Sequence, residues 1–174
     1  MGAEALVRWQ QEDGTILPPS EFTPLFERNG FILKLDLYVF EQVCQLLQRC
    51  IQEHRTLLPI SVNFSKLHLR NPNFVSKLAS LTEQYSIPNE YIEIELTEST
   101  IFNNEAALGK LLHELHEVGF PLSMDNFGTG YSSLGLLKNL PVDVLKIDKL
   151  FFAMVTIRTA GGWFWKASWK WPRN

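Results

Sequence analysis

The feature that most constrains this chain is the alternation of short apolar runs with longer segments of helical period. Such alternation is typical of a parallel sheet built from βα units. A closed barrel of this kind needs eight strands, so five predict an open sheet or part of a barrel. The five runs are "EALVRW" at 4–9, "PISVNFS" at 59–65, "YIEIELTES" at 91–99, "FPLSMDNF" at 120–127 and "DVLKIDKLFF" at 143–152.

Helical segments are predicted between these runs. The strongest, over 33–54, has apolar residues at spacings of three and four, which predict its buried face. That face comprises Leu35, Val39, Val43, Leu46, Leu47 and Cys50. Further helices are expected from near Ser20 and over 73–85, 104–118 and 132–139, with turn signals such as Asn29-Gly30 and Gly119 between elements.

Composition excludes several classes of partner. The 174 residues carry a net charge of −3, which disfavours binding to nucleic-acid polymers and to anionic membranes. No apolar run is long enough to span a membrane, and the start lacks the blocks of a signal peptide. Cys44 and Cys50 lie six apart on one predicted helix, about 240° around its axis, so they should stay reduced. We therefore expect a cytoplasmic segment with no membrane contact of its own.

Polar side chains stand near the carboxyl ends of the predicted strands, where βα architectures carry their chemistry. In the third strand, Glu98 has the parity of Ile92, Ile94 and Leu96, which predicts an inward-pointing group at the rim of the core. The full set is Glu4, Asn63, Glu98, Asp125, Asn126, Lys146 and Asp148.

Carboxylate and amide oxygens around one point suit Mg²⁺ or Mn²⁺ better than zinc. His113 and His116 have a spacing of three rather than the four of a zinc-protease helix, which favours a solvated helix face. The pair Asp125-Asn126 precedes "GTG", and such a pair taken alone usually marks only a turn.

The last stretch breaks the pattern. Four tryptophans fall within "WFWKASWKW" at 163–171, with no clean helical or strand period. An aromatic and basic platform for a ligand is one interpretation. We favour the other, a division into a domain at 1–152 and a tail at 153–174 that is not native to it, such as an out-of-frame read would append.

Five motifs together resemble the EAL family of cyclic di-GMP phosphodiesterases, in order and spacing, over residues 3–152. They are "EALVRW", "SVNFS", "ELTES", "DNFGTGYSSL" and "LKIDK". The resemblance implies an α/β fold, a TIM-like barrel of the EAL type that is incomplete here, with about five of eight strands. It also implies hydrolysis of cyclic di-GMP to linear pGpG with two divalent cations, Mg²⁺ or Mn²⁺.

The resemblance also implies roles for single residues. The first metal would be held by Glu4, Asn63, Glu98 and Asp125, and Asp125 would bridge to a second. Lys146 would lie beside the nucleophilic water, and Arg8 would contact the substrate phosphate. Asp148 would support the substrate site, although a hydrogen bond at the strand end is an equal alternative.

This chain departs from the family pattern at Asn126, where the family has a second aspartate. An amide oxygen can ligate a metal but brings no charge. The family's upstream first strand, its later glutamate and its final strand are also missing from this sequence. We therefore expect a one-metal site and weak hydrolysis.

Two alternatives remain open. One is a degenerate EAL module that senses cyclic di-GMP or docks a protein, and the other is an unrelated Mg²⁺-dependent barrel lyase, which lacks the motif order. An incomplete barrel also has open sheet edges, which favour self-association.

Overall fold

The apolar runs lie side by side in one sheet, in their order along the chain. The structure is a computed structural model that describes residues 2–102, 105–127, 140–148 and 168–170. Within these residues five neighbouring strands are parallel. They are β1 (Ala3–Ala5), β4 (Ile60–Asn63), β5 (Ile92–Thr97), β6 (Leu122–Phe127) and β7 (Val144–Ile147). The predicted α/β class and incomplete barrel are confirmed.

Two further pairings are antiparallel. β2 (Trp9–Gln10) and β3 (Ile16–Leu17) form a small hairpin after β1. β8 (Ser168–Lys170) pairs with β7 and extends the sheet at that edge. β8 lies inside the tail predicted to be foreign to the domain; that origin stays a prediction.

The predicted helices are present wherever the described residues include them. They are α1 (Pro19–Asn29), α2 (Ile32–Gln52), α3 (Phe74–Gln84) and α5 (Glu105–Glu117). A short helix that was not predicted, α4 (Glu98–Phe102), directly follows β5. Gly30 ends α1 with a left-handed φ of 75°, a conformation that glycine adopts without steric cost. The helix expected over 132–139 lies outside the described residues.

The core lies between the helices and one face of the sheet. Ile92, Ile94 and Leu96 of β5 are buried there, together with Phe40 of α2 and Leu112 of α5. Since strand side chains alternate, the apolar parity of each strand faces the helices. The polar side chains at the alternate positions point to the other face of the sheet.

One part of the predicted face of α2 is wrong. Leu46 is 43% exposed, because the buried stripe is rotated around the helix axis relative to the predicted one. The helix is apolar on more than one side, and its contacts with α1, α3 and β4 decide which side is covered. The buried stripe comprises Ile32, Asp36, Phe40, Val43, Cys44 and Leu47.

Among the described residues, no helix combines the length and the apolar character that crossing a membrane requires.

The two cysteines are free and should react very differently with alkylating reagents. Burial raises the pKa of the Cys44 thiol to about 12, with a smaller contribution from Glu41, whereas Cys50 is partly exposed. Because the thiolate is the reactive form, we expect iodoacetamide at pH 8 to label Cys50 and to spare Cys44 in the folded chain. Peptide mass mapping checks this, with the urea-unfolded chain as control. Equal labelling of both cysteines without denaturant would contradict the buried position of Cys44.

Candidate functional site

The polar face of the sheet forms rows across neighbouring strands. Glu4 on β1 is in register with Ser61 on β4, and Ser61 is in register with Glu93 on β5. Residues in register on adjacent strands point to the same face. Two further rows toward the carboxyl ends are formed by Asn63, Glu95 and Ser123 and by Thr97 and Asp125.

Lys146 on β7 is the centre of this face. Its Nζ forms a very short contact with Glu95 Oε2, lies 3.5 Å from Glu93 Oε1 and donates to Ser61 Oγ at 3.0 Å. The side chains of Lys146 and Glu95 are only 13% and 1% exposed. Three strands therefore place one cation between two carboxylates, away from bulk water.

The environment shifts the pKa of both partners upward. Burial raises the pKa of Glu95 and outweighs the opposing effect of Lys146. Burial would lower the pKa of Lys146, but the hydrogen bond and charge of Glu95, with the charges of Glu93 and Glu4, raise it overall. The ammonium is therefore the form that this face retains at neutral pH.

The raised pKa values of Lys146 and Glu95 contribute to the stability of the fold over different ranges of pH. A raised pKa favours folding where the group is protonated, and this contribution is lost as pH rises through the folded pKa. For Lys146 it persists until above the ordinary value of 10.5. For Glu95 it is complete below the ordinary value of 4.5 and is lost as pH rises through the raised pKa of the folded chain.

Glu4 and Asn63 meet at the open end of the sheet. Asn63 Nδ2 donates to Glu4 Oε1 at 3.2 Å. Glu4 is partly exposed and Asn63 is exposed, so both side chains can be reached from solvent. Their amide and carboxylate oxygens are suitable ligands for a hard divalent cation.

Asp125 and Asn126 lie on a bulge in β6. The register with β7 shifts between Met124 and Phe127, and both of these residues are buried in the core. Residues three apart on a regular strand would face opposite sides, so the bulge restores Phe127 to the helix side. Asn126 has a φ of 58°, and asparagine is among the residues that tolerate this left-handed region best.

The strand predicted to include Glu98 ends one residue before it. β5 ends at Thr97 and Glu98 is the first residue of α4, so alternation no longer determines its direction. Glu98 is 2% exposed. Its predicted role as a metal ligand and catalytic group stays a prediction.

The two candidates for substrate contact lie on the chain just after strands. Arg8 is exposed and its Nη1 donates to the Val7 carbonyl at 2.8 Å. Asp148 follows β7, and its backbone N–H donates to the Phe127 carbonyl at 3.2 Å. Their roles stay predictions.

Sequence reasoning did not include Glu93, Glu95 and Ser61 in the site. The signal was present, because Glu93, Glu95 and Thr97 share one parity within an otherwise apolar strand. Polar side chains at alternate positions of a buried parallel strand indicate a polar inner face.

The chemistry of the donor set fits a divalent cation. Within the described ranges, no three His, Cys, Asp or Glu side chains are grouped closely enough to hold a metal ion by themselves. Buried Glu95 Oε1, however, has no hydrogen-bond partner among the described residues, and such an atom is a natural ligand. Two carboxylates, Glu4 and Glu95, and the amide oxygen of Asn63 are therefore the donors that a cation could share.

Residues 1–161 match the family described as EAL domain. The chain is 34% identical over 154 residues to the probable cyclic di-GMP phosphodiesterase PdeG of Escherichia coli, covering 88% of this chain and 30% of that protein. It is 37% identical over 148 residues to the cyclic di-GMP phosphodiesterase NbdA of Pseudomonas aeruginosa, covering 85% and 19%. The chain thus spans less than a third of the length of these relatives.

Solved structures show the same fold. The chain resembles the PaMucR phosphodiesterase in its c-di-GMP complex, with a TM-score of 0.81 and 32% identity, covering 88% of this chain and 62% of that one. It also resembles the FimX EAL domain of Pseudomonas aeruginosa bound to c-di-GMP, with a TM-score of 0.76 and 25% identity, covering 85% and 59%.

Removing the Lys146 ammonium from the polar face should destabilise the folded chain. Lys146→Met leaves Glu95 buried and unpaired, which we expect to lower the free energy of unfolding by about 3 kcal/mol at pH 7. The loss should shrink toward pH 5, because protonation of Glu95 removes the uncompensated charge. Urea unfolding at the two pH values measures both effects.

The control is Lys110→Met, which removes an exposed pair with Glu114 on α5 and should cost less than about 0.5 kcal/mol. Equal losses for the two variants would contradict the buried pair.

Proposed function

The chain belongs to the EAL domain family, and from this premise we propose that it binds cyclic di-GMP and hydrolyses it slowly to linear pGpG. The proposal depends on one observation above all, the polar face at the carboxyl ends of the parallel strands. There Glu4, Asn63, Glu95 and Lys146 come together from four strands. The relatives named as phosphodiesterases and the neighbours solved with c-di-GMP support the choice of substrate.

Glu4, Asn63, Glu95 and Asp125 would hold a divalent cation, Mg²⁺ or Mn²⁺. When bound, such a cation supplies Lewis acidity, which acidifies water and stabilises charge on phosphate oxygens. We propose one cation rather than the two expected for the family, because Asn126 adds no negative charge to offset a second. Glu98 remains a further candidate ligand from the resemblance.

The chain's own residues would place the charges around the phosphodiester. Lys146 would keep an ammonium beside the reacting water, held by Glu93 and Glu95. Arg8, which is exposed just after β1, would pair with a substrate phosphate. Asp148, which follows β7, would support the substrate from the side of the sheet away from β1.

We also propose a cellular location and binding partners for the chain. Its two free cysteines suit a reducing cytoplasm. The net charge of −3 argues against nucleic-acid polymers and membranes as partners, although the small anion cyclic di-GMP needs only a local cationic site. Open strand edges favour self-association of the isolated chain.

Metal-dependent turnover tests the function directly. With cyclic di-GMP and Mn²⁺ or Mg²⁺, we expect slow formation of pGpG that Glu4→Gln reduces by at least about tenfold, because it removes a ligand charge at the open end of the sheet. Chromatography of the nucleotides measures the rate. The control Glu12→Gln, exposed near the β2–β3 hairpin, should leave the rate unchanged.

Binding of cyclic di-GMP without any pGpG would instead support the sensing module. Neither binding nor turnover would contradict the proposed substrate.

Asn126→Asp should raise the rate. The substitution restores a carboxylate beside Asp125, and a second negative charge lowers the repulsion between two cations. We expect a several-fold gain that is largest at high Mn²⁺ concentration, measured as initial rates across a Mn²⁺ titration. A gain that is independent of Mn²⁺ would argue that Asn126 acts through the backbone of the bulge and not through metal binding.

A further inference from the structure

A buried polar network lies beside the polar face but contributes no group to it. Asp36 on α2 is buried on the helix face that otherwise carries Ile32 and Phe40. Its Oδ2 accepts hydrogen bonds from the Ser65 backbone N–H at 2.9 Å and from His68 Nε2 at 3.1 Å. A carboxylate is costly to bury unless such donors compensate it.

Ser65 extends the network to α1. Its Oγ donates to Glu27 Oε1 at 2.8 Å and accepts from the Leu67 backbone N–H at 3.4 Å. Ser65 also precedes the 3-10 helix Lys66–Arg70 as its N-cap. The segment after β4 is therefore tied to two helices by side-chain hydrogen bonds.

His68 is held in one orientation. Its buried ring packs against both Phe64 and Phe74, with centroid distances of 5.3 Å and 4.4 Å. The His68 tautomer that carries its proton on Nε2 donates to Asp36 Oδ2 in this contact. The ring is thus a fixed donor rather than a solvated group.

Stability alone does not explain these polar groups. A buried ionic or hydrogen-bonded pair can often be replaced by apolar residues without loss of stability, and such networks instead specify one arrangement. Here the network holds the backbone segment that begins at Ser65, two residues after Asn63. On its other side, β4 is fixed by the ladder with β5, including the Phe64 N–H to the Glu95 carbonyl at 3.0 Å.

We propose that Asp36 and His68 are a positioning pair that holds the segment after β4, so that Asn63 stays against Glu4 at the strand end. The effect of this positioning on cation binding rests on the proposed function, whereas the positioning of Asn63 itself does not. In this proposal neither residue is a ligand: Asp36 acts through the Ser65 backbone N–H, and His68 acts through Asp36.

Two substitutions of His68 separate positioning from packing. His68→Phe keeps an aromatic ring against Phe64 and Phe74 but cannot donate to Asp36. His68→Gln loses the ring but keeps an N–H that can reach the carboxylate. If the hydrogen bond positions the segment, the first variant should loosen it and the second should preserve it.

Amide hydrogen exchange on the full chain is the first readout. We expect exchange at residues 63–67 to be about tenfold faster in His68→Phe and within about twofold of the parent in His68→Gln. Exchange in α3, whose Phe74 contacts the His68 ring, should be unchanged in His68→Phe. The double variant Asp36→Leu with His68→Phe removes both partners, so it should fold stably and yet exchange as fast as His68→Phe over these residues.

Titration with Mn²⁺ alone is the second readout. We expect His68→Phe to weaken Mn²⁺ binding about tenfold and His68→Gln to preserve it. Unchanged exchange at 63–67 in both the single and the double variant would overturn the positioning pair. A parent chain that binds no Mn²⁺ would overturn the proposed metal site instead, and the exchange result would still decide the role of Asp36 and His68.

Discussion

The alternation of side chains along parallel strands is the constraint on which this structure depends. Each strand has to supply an apolar face to the helices and a polar face to the other side at the same time. β5 shows it most clearly, since Ile92 and Ile94 are buried in the core while Glu93 and Glu95 face Lys146. A slip of one residue would exchange the two environments and bury carboxylates among the helices.

The polar face has its own electrostatic requirement. Glu95 is almost fully buried, and its ionised form is tolerable because Lys146 lies against it. The same ammonium touches Glu93 and Ser61, so its position is set by three contacts rather than one. A divalent cation at Glu95 could replace one of these contacts without leaving Lys146 unpaired, because Glu93 would remain.

The bulge in β6 sets the backbone conformation of Asn126, the residue that carries an amide where the family has a second aspartate. A left-handed φ of 58° there is strained for most residues and comparatively easy for asparagine. The backbone requirement is therefore met by Asn126, while the negative charge that a second cation would need is absent. Aspartate tolerates the same left-handed region, so local conformation does not by itself require an amide in place of a carboxylate.

The sequence by itself determined the fold class and the strands on which several candidate site residues lie. Five apolar runs with helical segments between them, and five motifs in order, were enough to predict the parallel strands, the EAL resemblance and the strand-end positions of Glu4, Asn63, Asp125 and Lys146. These features are local or depend only on order along the chain. Tertiary structure alone decided that Glu95 faces Lys146, that Leu46 is exposed, and that Asp36 reaches His68. Each of these depends on which face the helices cover and on where a strand ends, and both are set by packing between segments far apart in the sequence.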